Sequence, residues 1–361
     1  MPALNRISVR NPKGAASLLV RFALLLPATV AVAAFASAAA LATEETWGPV
    51  EVVGRTIAPG TSERFPFIPD QSFEASYLNT PVFVARGVQE GPTLCLTAGI
   101  HGDEINGVEV ARRAFAETDP QKLIGTLIAL PAINSEGVRA GNRYLTDRRD
   151  LNRAFPGRAG GSIAALIAGA LTTRILVLCD YLVDLHTASD QRGNLPQIRA
   201  DLDNDAVRAL AIHFGRGLVI GGAGPAGSWR RSAVDAGVPA IIYEAGEPLR
   251  FQEEEIVHGM EGVHNVMAYL GMIDAPLATI AEDRVFTRST WVRAGNTQAG
   301  FFFPDVSLGA KVNKGDHLGR IIDPFTDKVH SITAPRAGEL IGLAVARPVL
   351  SGYGLFHLAW H

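Results

Sequence analysis

Apolar runs of strand length alternate with segments of helical spacing between residues 93 and 272. Runs typical of buried strands occupy residues 93–99, 125–132, 181–186, 217–222 and 238–246. Helical spacing of apolar positions occurs at residues 106–117, 162–178, 206–215 and 253–272, and a short helix is expected before the last strand. Strands that alternate with helices predict an α/β sheet covered on both faces, with functional groups at the carboxyl ends of its strands.

The pattern changes after about Asp274. From Arg284 onward, short alternating segments are separated by Gly and Asp turns, and the helical spacing is lost. We therefore predict an α/β domain over residues 43–274 and a small all-β module over residues 284–361.

The first 42 residues differ in character from the rest. Their only charged residues are the cations Arg6, Arg10, Lys13 and Arg21. An uncharged apolar stretch follows and ends with Ala40-Leu41-Ala42 before Thr43, which is the layout of a secretory signal peptide. An uncleaved anchor is the alternative, because the stretch approaches the about 20 residues that span a bilayer. Its Ala richness and Pro27 favour cleavage, so we expect an exported protein, periplasmic or secreted.

Composition narrows the class of protein. The 361 residues are 47% hydrophobic and 19% charged, as in a packed globular protein. The net charge is −3, although residues 1–42 contribute four positive charges. The chain contains no run of basic residues that would suggest a nucleic-acid partner. The two cysteines, Cys95 and Cys179, lie in apolar runs, so buried free thiols are expected rather than a disulfide.

Histidine or glutamate side chains lie at the ends of three of the predicted strands. His101 and Glu104 follow the strand at 93–99, His186 ends the strand at 181–186, and Glu244 lies near the end of another. Two His and one Glu could hold a single Zn²⁺ with one position open, as in catalytic zinc sites. Such an ion lowers the pKa of bound water toward ~7 and polarises a carbonyl, while Glu244 would relay the water's proton.

The segment GNRYLTDRRDLNRAFPG (residues 141–157) is dense in arginine. A solvated charged loop is one interpretation. Planar cations at this density also suit bidentate binding of a carboxylate and stabilisation of an oxyanion.

The motifs GIHGDEINGVE, RDLNRAFPG, DLHT and YEAGEP, in this order, resemble the succinylglutamate desuccinylase/aspartoacylase family. The similarity extends from about Thr93 to the C terminus. It implies the fold of the zinc carboxypeptidases, a mixed sheet with helices on both faces, followed by a C-terminal β module.

The resemblance also implies roles for single residues. His101, Glu104 and His186 match the zinc ligands, one ion per chain, and Glu244 matches the general base. The remaining matches are Asn152 and Arg153 for the substrate carboxylate, Arg143 (with Arg148 as a competitor) for the scissile carbonyl, and Asp150 as hydrogen-bond acceptor of His101.

We therefore expect a zinc-dependent amide hydrolase that deacylates a small N-acyl amino acid or a related carboxylate. Two alternatives stay open: an exported metallocarboxypeptidase acting on peptides or cell-wall stem peptides, and a zinc-containing binding protein without catalysis. The side chains that select the acyl group are not fixed by the motifs; the candidates are Arg192, Arg199 and Tyr353. The sequence does not predict an oligomeric state.

Overall fold

The computed structural model describes residues 47–68 and 79–361, so the predicted signal peptide lies outside the described residues. Within the described residues, the N-terminal part and the α/β part contain the strands β1 (Val50–Val52), β2 (Arg55–Ile57), β3 (Thr61–Phe67), β4 (Thr80–Arg86), β5 (Gln89–Ala98), β6 (Ile124–Leu130), β7 (Tyr181–His186), β8 (Arg192–Ala200), β9 (Leu218–Gly221) and β10 (Ala240–Gly246). The helices there are α1 (Asn106–Glu117), α2 (Ser135–Ala140), α3 (Ile163–Arg174), α4 (Asp205–Ile212), α5 (Trp229–Asp235) and α6 (Glu253–Tyr269). Among these residues, no helix is both long enough and apolar enough to cross a bilayer.

The C-terminal part is built from strands. They are β11 (Val285–Phe286), β12 (Arg288–Arg293), β13 (Gly300–Pro304), β14 (Lys311–Val312), β15 (His317–Ile322), β16 (Val329–Thr333), β17 (Gly338–Ala344), β18 (Arg347–Val349) and β19 (Gly354–Trp360). Strands β16-β15-β13-β18 form a sheet of their own. The predicted β-rich C-terminal region is confirmed.

One large mixed sheet runs through the molecule in the spatial order β12-β19-β17-β8-β10-β7-β5-β6-β4-β3. Its central strands β10, β7, β5 and β6 are parallel, as the βα alternation predicts. The C-terminal strands are part of this same sheet, because β17 pairs antiparallel with β8, with Gly342 opposite Asn194. The β region is therefore hydrogen-bonded to the α/β sheet.

Helices cover both faces of the sheet, which confirms the predicted α/β class. On one face, α1, α4 and α6 pack their apolar sides on the strands, with Val110, Leu210 and Val263 all fully buried. On the other face, α3 and α5 do the same through Leu171 and Trp229. Burial of these apolar side chains is the main stabilising contribution, at about 25 cal/mol per Å² removed from water.

Strand β8 was not expected from the sequence. Its residues RGNLPQIRA contain Gly193 and Pro196. They show neither a continuous apolar run nor an alternation of apolar and polar positions, so the sequence does not predict a strand here. It forms nevertheless, because it lies between β10 and β17 and pairs with both. Tertiary pairing here outweighs local preference.

The expectation of free thiols is wrong. Cys95 on β5 and Cys179 just before β7 form a disulfide, and their Cα atoms are 5.7 Å apart. Because β5 and β7 are parallel neighbours with Cys95 opposite Leu182, the two cysteines meet on one face of the sheet. The apolar surroundings, from which two free thiols were expected, enclose the disulfide instead.

Candidate active site

The turn after β5 places two polar side chains at the edge of the sheet. Residues 99–105 leave the strand in a tight bend, within which the Glu104 N–H donates to the His101 carbonyl at 3.2 Å. Gly102 is required there, because a Cβ at this position would lie 2.0 Å from the Gly137 carbonyl carbon of α2. The bend directs His101 and Glu104 to the carboxyl end of β7.

His186, the last residue of β7, completes a buried group of three. Possible ligand atoms of His101, Glu104 and His186 all lie within 4.8 Å of one another. Glu104 bridges the two rings: Oε1 is 2.8 Å from His101 Nδ1, and Oε2 is 2.7 Å from His186 Nδ1. All three side chains are at most 5% exposed. Residues 85 positions apart thus converge because their strands are parallel neighbours.

Each imidazole is held from its other nitrogen by a carboxylate. His101 Nε2 lies 3.1 Å from Asp150 Oδ1, and His186 Nε2 lies 2.8 Å from Asp184 Oδ2. Donation of an N–H to these carboxylates leaves the Nδ1 lone pair of each ring directed at the centre. His101 Nδ1 is buried and makes no hydrogen bond with any residue of the described ranges, despite its short distance to Glu104. An atom of this kind fits a metal ligand.

Asp184 is a residue that the sequence analysis missed. It is fully buried within β7, and its Oδ1 accepts a hydrogen bond of 2.7 Å from the Thr97 hydroxyl on β5. The Trp229 indole N–H in turn donates to that hydroxyl at 3.2 Å. The available signal was the spacing of Asp184 and His186, since residues i and i+2 share one face of a strand.

The electrostatics of the centre favour positive charge. Burial favours the neutral form of His186, but the carboxylates of Asp184 and Glu104 outweigh burial and hold its pKa well above the usual value. Burial likewise opposes ionisation of Glu104, but the neighbouring imidazoles His101 and His186 hold its pKa well below the usual value. A divalent cation would meet the same attraction.

The arginine-rich segment has two parts with different surroundings. Arg143 lies beside the centre, with its guanidinium 2.9 Å from Glu104 and 3.1 Å from Asp150. Arg148, its competitor in the sequence, is exposed in a left-handed turn with φ 63° and does not line the cavity. Of these two arginines, Arg143 is therefore the one that reaches the site.

Asn152 and Arg153 lie in a short 3-10 turn, residues 151–153, whose start is capped by the Asp150 carboxylate. The Asn152 side-chain carbonyl accepts a hydrogen bond of 2.8 Å from the Trp229 backbone N–H. Both residues line the same cavity as the His-Glu-His group.

Glu244 lies on β10 directly opposite His186 on β7. Its carboxylate accepts a hydrogen bond of 2.7 Å from the Asn194 amide and forms a 2.8 Å ion pair with Arg199. Both partners come from β8, the strand that the sequence did not predict. Glu244 is thus a partly buried carboxylate held in the cavity wall.

A cavity of about 470 Å³ joins these groups. The C-terminal strands close one side of it, and Trp291 of β12 stacks on His357 of β19 with the rings 4.7 Å apart. Of the candidates for selecting the acyl group, Arg192 and Arg199 line the cavity. Tyr353 instead packs against Arg192, and the centre of its ring lies 4.2 Å from the guanidinium carbon of Arg192.

Solved structures share this architecture. The succinylglutamate desuccinylase/aspartoacylase of Rhodobacter sphaeroides superposes with a TM-score of 0.70 at 25% identity, over 78% of this chain and 89% of that one. The apo structure of the ectoine utilization protein EutE (DoeB) of Ruegeria pomeroyi gives 0.69 at 26% identity, over 79% and 90%. Its product-bound form, at 24% identity and 0.75, shows the same fold over 87% and 98%.

Sequence comparison gives the same relationship. An N-alpha-acetyl-L-2,4-diaminobutyric acid deacetylase of Halomonas elongata is 26% identical over 272 residues, which cover 72% of this chain and 78% of the relative. The family model of the succinylglutamate desuccinylase/aspartoacylase catalytic domain matches residues 90–270, half of the chain. The chain therefore belongs to the succinylglutamate desuccinylase/aspartoacylase family.

Proposed function

We propose that the protein is a metal-dependent amide hydrolase that removes the acyl group from a small N-acyl amino acid. The observation that carries the proposal is the convergence of a buried His-Glu-His group, a carboxylate at Glu244 and an arginine-rich wall on one cavity. Family membership and the deacetylase named for the Halomonas relative support the reaction class.

We assign His101, Glu104 and His186 as ligands of one Zn²⁺. Two imidazoles and one carboxylate are a donor set typical of catalytic zinc, with a position left for substrate or water. The carboxylates behind both rings accept from Nε2, which selects for each neutral imidazole the tautomer whose Nδ1 can coordinate. When bound, the ion would supply Lewis acidity toward the scissile carbonyl.

The side chains around this centre have separate roles in the reaction. Glu244 accepts a proton from the water that attacks the carbonyl carbon, and then delivers it to the amide nitrogen as the C–N bond breaks. Arg143 stays cationic, because Glu104 and Asp150 raise its pKa against the effect of burial, and it stabilises the negative charge that develops on the carbonyl oxygen. Asn152 and Arg153 hold the substrate carboxylate.

The cavity favours a small substrate over a peptide. Strands β12 and β19 wall it on one side, and its volume of about 470 Å³ suits a molecule of amino-acid size. The metallocarboxypeptidase alternative needs room for a chain that continues past the scissile bond. Hydrolysis of short peptides in preference to N-acyl amino acids would favour that alternative.

The test is turnover of N-acyl amino acids by the wild-type protein and by Glu244→Gln. The amide cannot accept the proton, so kcat should fall by a factor of about 10² or more with bound metal unchanged. Glu254→Gln, on the exposed side of α6, is the matched control and should keep full activity. Near-normal turnover by Glu244→Gln would remove Glu244 from the mechanism.

We also propose that the protein acts outside the cytoplasm. The composition of residues 1–42 supports export. The disulfide between Cys95 and Cys179 supports it independently, because such bonds form and persist in oxidising compartments.

A further inference from the structure

The four-stranded sheet β16-β15-β13-β18 has a buried face and an outer face. On the buried face, Phe302 of β13 is fully enclosed and packs edge-on against Phe356 of β19, with the ring centres 5.4 Å apart. Side chains alternate between the two faces of a strand, so Phe301 and Phe303 lie on the outer face. They are 44% and 38% exposed. The outer face of β13 therefore presents phenylalanine to solvent.

The register of the sheet aligns an apolar row across all four strands. Phe301 lies opposite Pro348 of β18 on one side and opposite Ile322 of β15 on the other. Ile322 lies opposite Val329 of β16. Residues directly opposite each other place their side chains on the same face of a sheet. The outer face thus carries the row Pro348-Phe301-Ile322-Val329, and both of its ends are exposed.

Two further apolar side chains lie beside the ends of this row. Leu350, directly after β18, is 77% exposed, and Phe325, in the turn between β15 and β16, is 95% exposed. Together with the outward side chains of the sheet, they expose on the order of 500 Å² of apolar surface. A patch of this size on a soluble protein indicates an interaction surface.

The charged side chains of residues 300–305 and 317–333 carry both signs. They are the cations Arg320 and Lys328 and the carboxylates Asp305, Asp323 and Asp327. Arg320 pairs with Asp305, which also lies 2.9 Å from the His317 ring. Binding to an anionic membrane needs a surplus of Lys and Arg, which this surface lacks. A mixed surface suits a second copy of itself, because a twofold axis allows the cations of one copy to face the carboxylates of the other.

The area of the outer face is also suited to a dimer. A stable interface buries about 800 Å² on each partner, with an apolar centre and a polar rim. The apolar patch supplies more than half of this area, and the side chains of Arg320 and Ser331, which follow the row on the same face, supply part of the rim.

We propose that the outer face of the sheet β16-β15-β13-β18 is the contact surface between two copies of the chain, packed face to face about a twofold axis. The inference goes beyond the proposed deacylase function and does not depend on it, because none of these residues lines the cavity with the His-Glu-His group.

Sedimentation velocity of the purified protein over a dilution series tests the proposal. We expect a monomer–dimer equilibrium with a Kd of about 10 µM or below. Phe301→Lys should raise this Kd at least about 100-fold, because it buries two unpaired charges in the interface. Phe303→Ser should raise it about 10-fold. Leu277→Lys, at an exposed position outside the sheet, is the matched control and should dimerise as the wild type does.

Thermal unfolding of each variant checks that the monomer is folded, and Phe303→Ser decides alone if Phe301→Lys unfolds. A wild-type protein that stays monomeric up to about 100 µM would overturn the proposal. A dimer that both variants leave intact would do so as well, since its interface then lies elsewhere. Monomeric wild type that binds phosphatidylethanolamine–phosphatidylglycerol vesicles, with binding lost in Phe301→Lys, would assign the face to a membrane and likewise overturn it.

Discussion

The disulfide from Cys95 to Cys179 ties β5 to the start of β7, the two strands that lead to His101 and His186. The bond lies within the apolar layer under α3 and α5, on the sheet that carries the candidate metal centre. It closes a sequence separation of 84 residues. The strands that bring two candidate ligands together are therefore joined covalently as well as by their ladder of hydrogen bonds.

Removing this bond should destabilise the fold. The double variant Cys95→Ala/Cys179→Ala should lower the free energy of unfolding by about 2–5 kcal/mol, since the unfolded chain regains the entropy of an open loop. Urea unfolding of the variant against the wild-type protein, each with and without reductant, measures the effect. Equal midpoints for oxidised wild type and variant would show that the bond contributes nothing.

The export proposal makes a prediction about processing. Protein expressed in a bacterial host from the full sequence should appear in the periplasm and begin at Thr43, because the small residues before it suit signal peptidase. N-terminal sequencing of the periplasmic fraction checks this. Recovery in the membrane fraction with residues 1–42 intact would favour the anchor alternative.

Asp184 should matter for metal binding although it is not a ligand. Asp184→Asn keeps the size of the side chain but weakens the acceptor that orients His186, so zinc affinity should fall about 10- to 100-fold. Competition with a chromophoric chelator measures this affinity. Asp203→Asn, at an exposed position, serves as control. Unchanged affinity in Asp184→Asn would mean that the ring is oriented by packing alone.

His357 predicts a pH dependence of stability. Burial, helped by the charge of Arg199, lowers its pKa to about 3, whereas the unfolded chain has the ordinary value of about 6.5. Between these values the unfolded state binds the extra proton, so His357 costs stability as pH falls below 6.5, at up to about 1.4 kcal/mol per pH unit.

The matched variant isolates this contribution. Metal-free wild-type protein should lose about 2 kcal/mol more stability than His357→Gln between pH 7.5 and pH 5. Urea unfolding at the two pH values gives the difference. Parallel losses in the two proteins would show that His357 titrates in the folded state as it does in the unfolded one.

The parts of the site at the ends of parallel strands could be predicted from the sequence. His101, Glu104 and His186 follow apolar runs that read as buried strands, and parallel strands present their carboxyl ends at one edge. The role of Asp184 was not predicted, because in the sequence it is a single polar residue within an apolar strand. Its partner Thr97 is visible only once β5 and β7 are paired, with Thr97 opposite Asp184.

The parts contributed by antiparallel pairing could not be predicted. Asn194 and Arg199, which hold Glu244, come from β8, whose sequence shows no strand period. The cavity wall of Trp291 and His357 depends on β17 joining β8, a contact between residues about 150 positions apart. Local patterns carry no information about such pairing, and the same is true of the disulfide.

Metal content tests most directly whether His101, Glu104 and His186 hold one zinc ion, as proposed. Purified protein beginning at Thr43 should contain about one zinc per chain by elemental analysis. His186→Ala should lose the metal, and His264→Ala, a histidine on α6 outside the site, should retain it. Equal zinc in wild type and His186→Ala, or none in the wild type after reconstitution, would contradict the account.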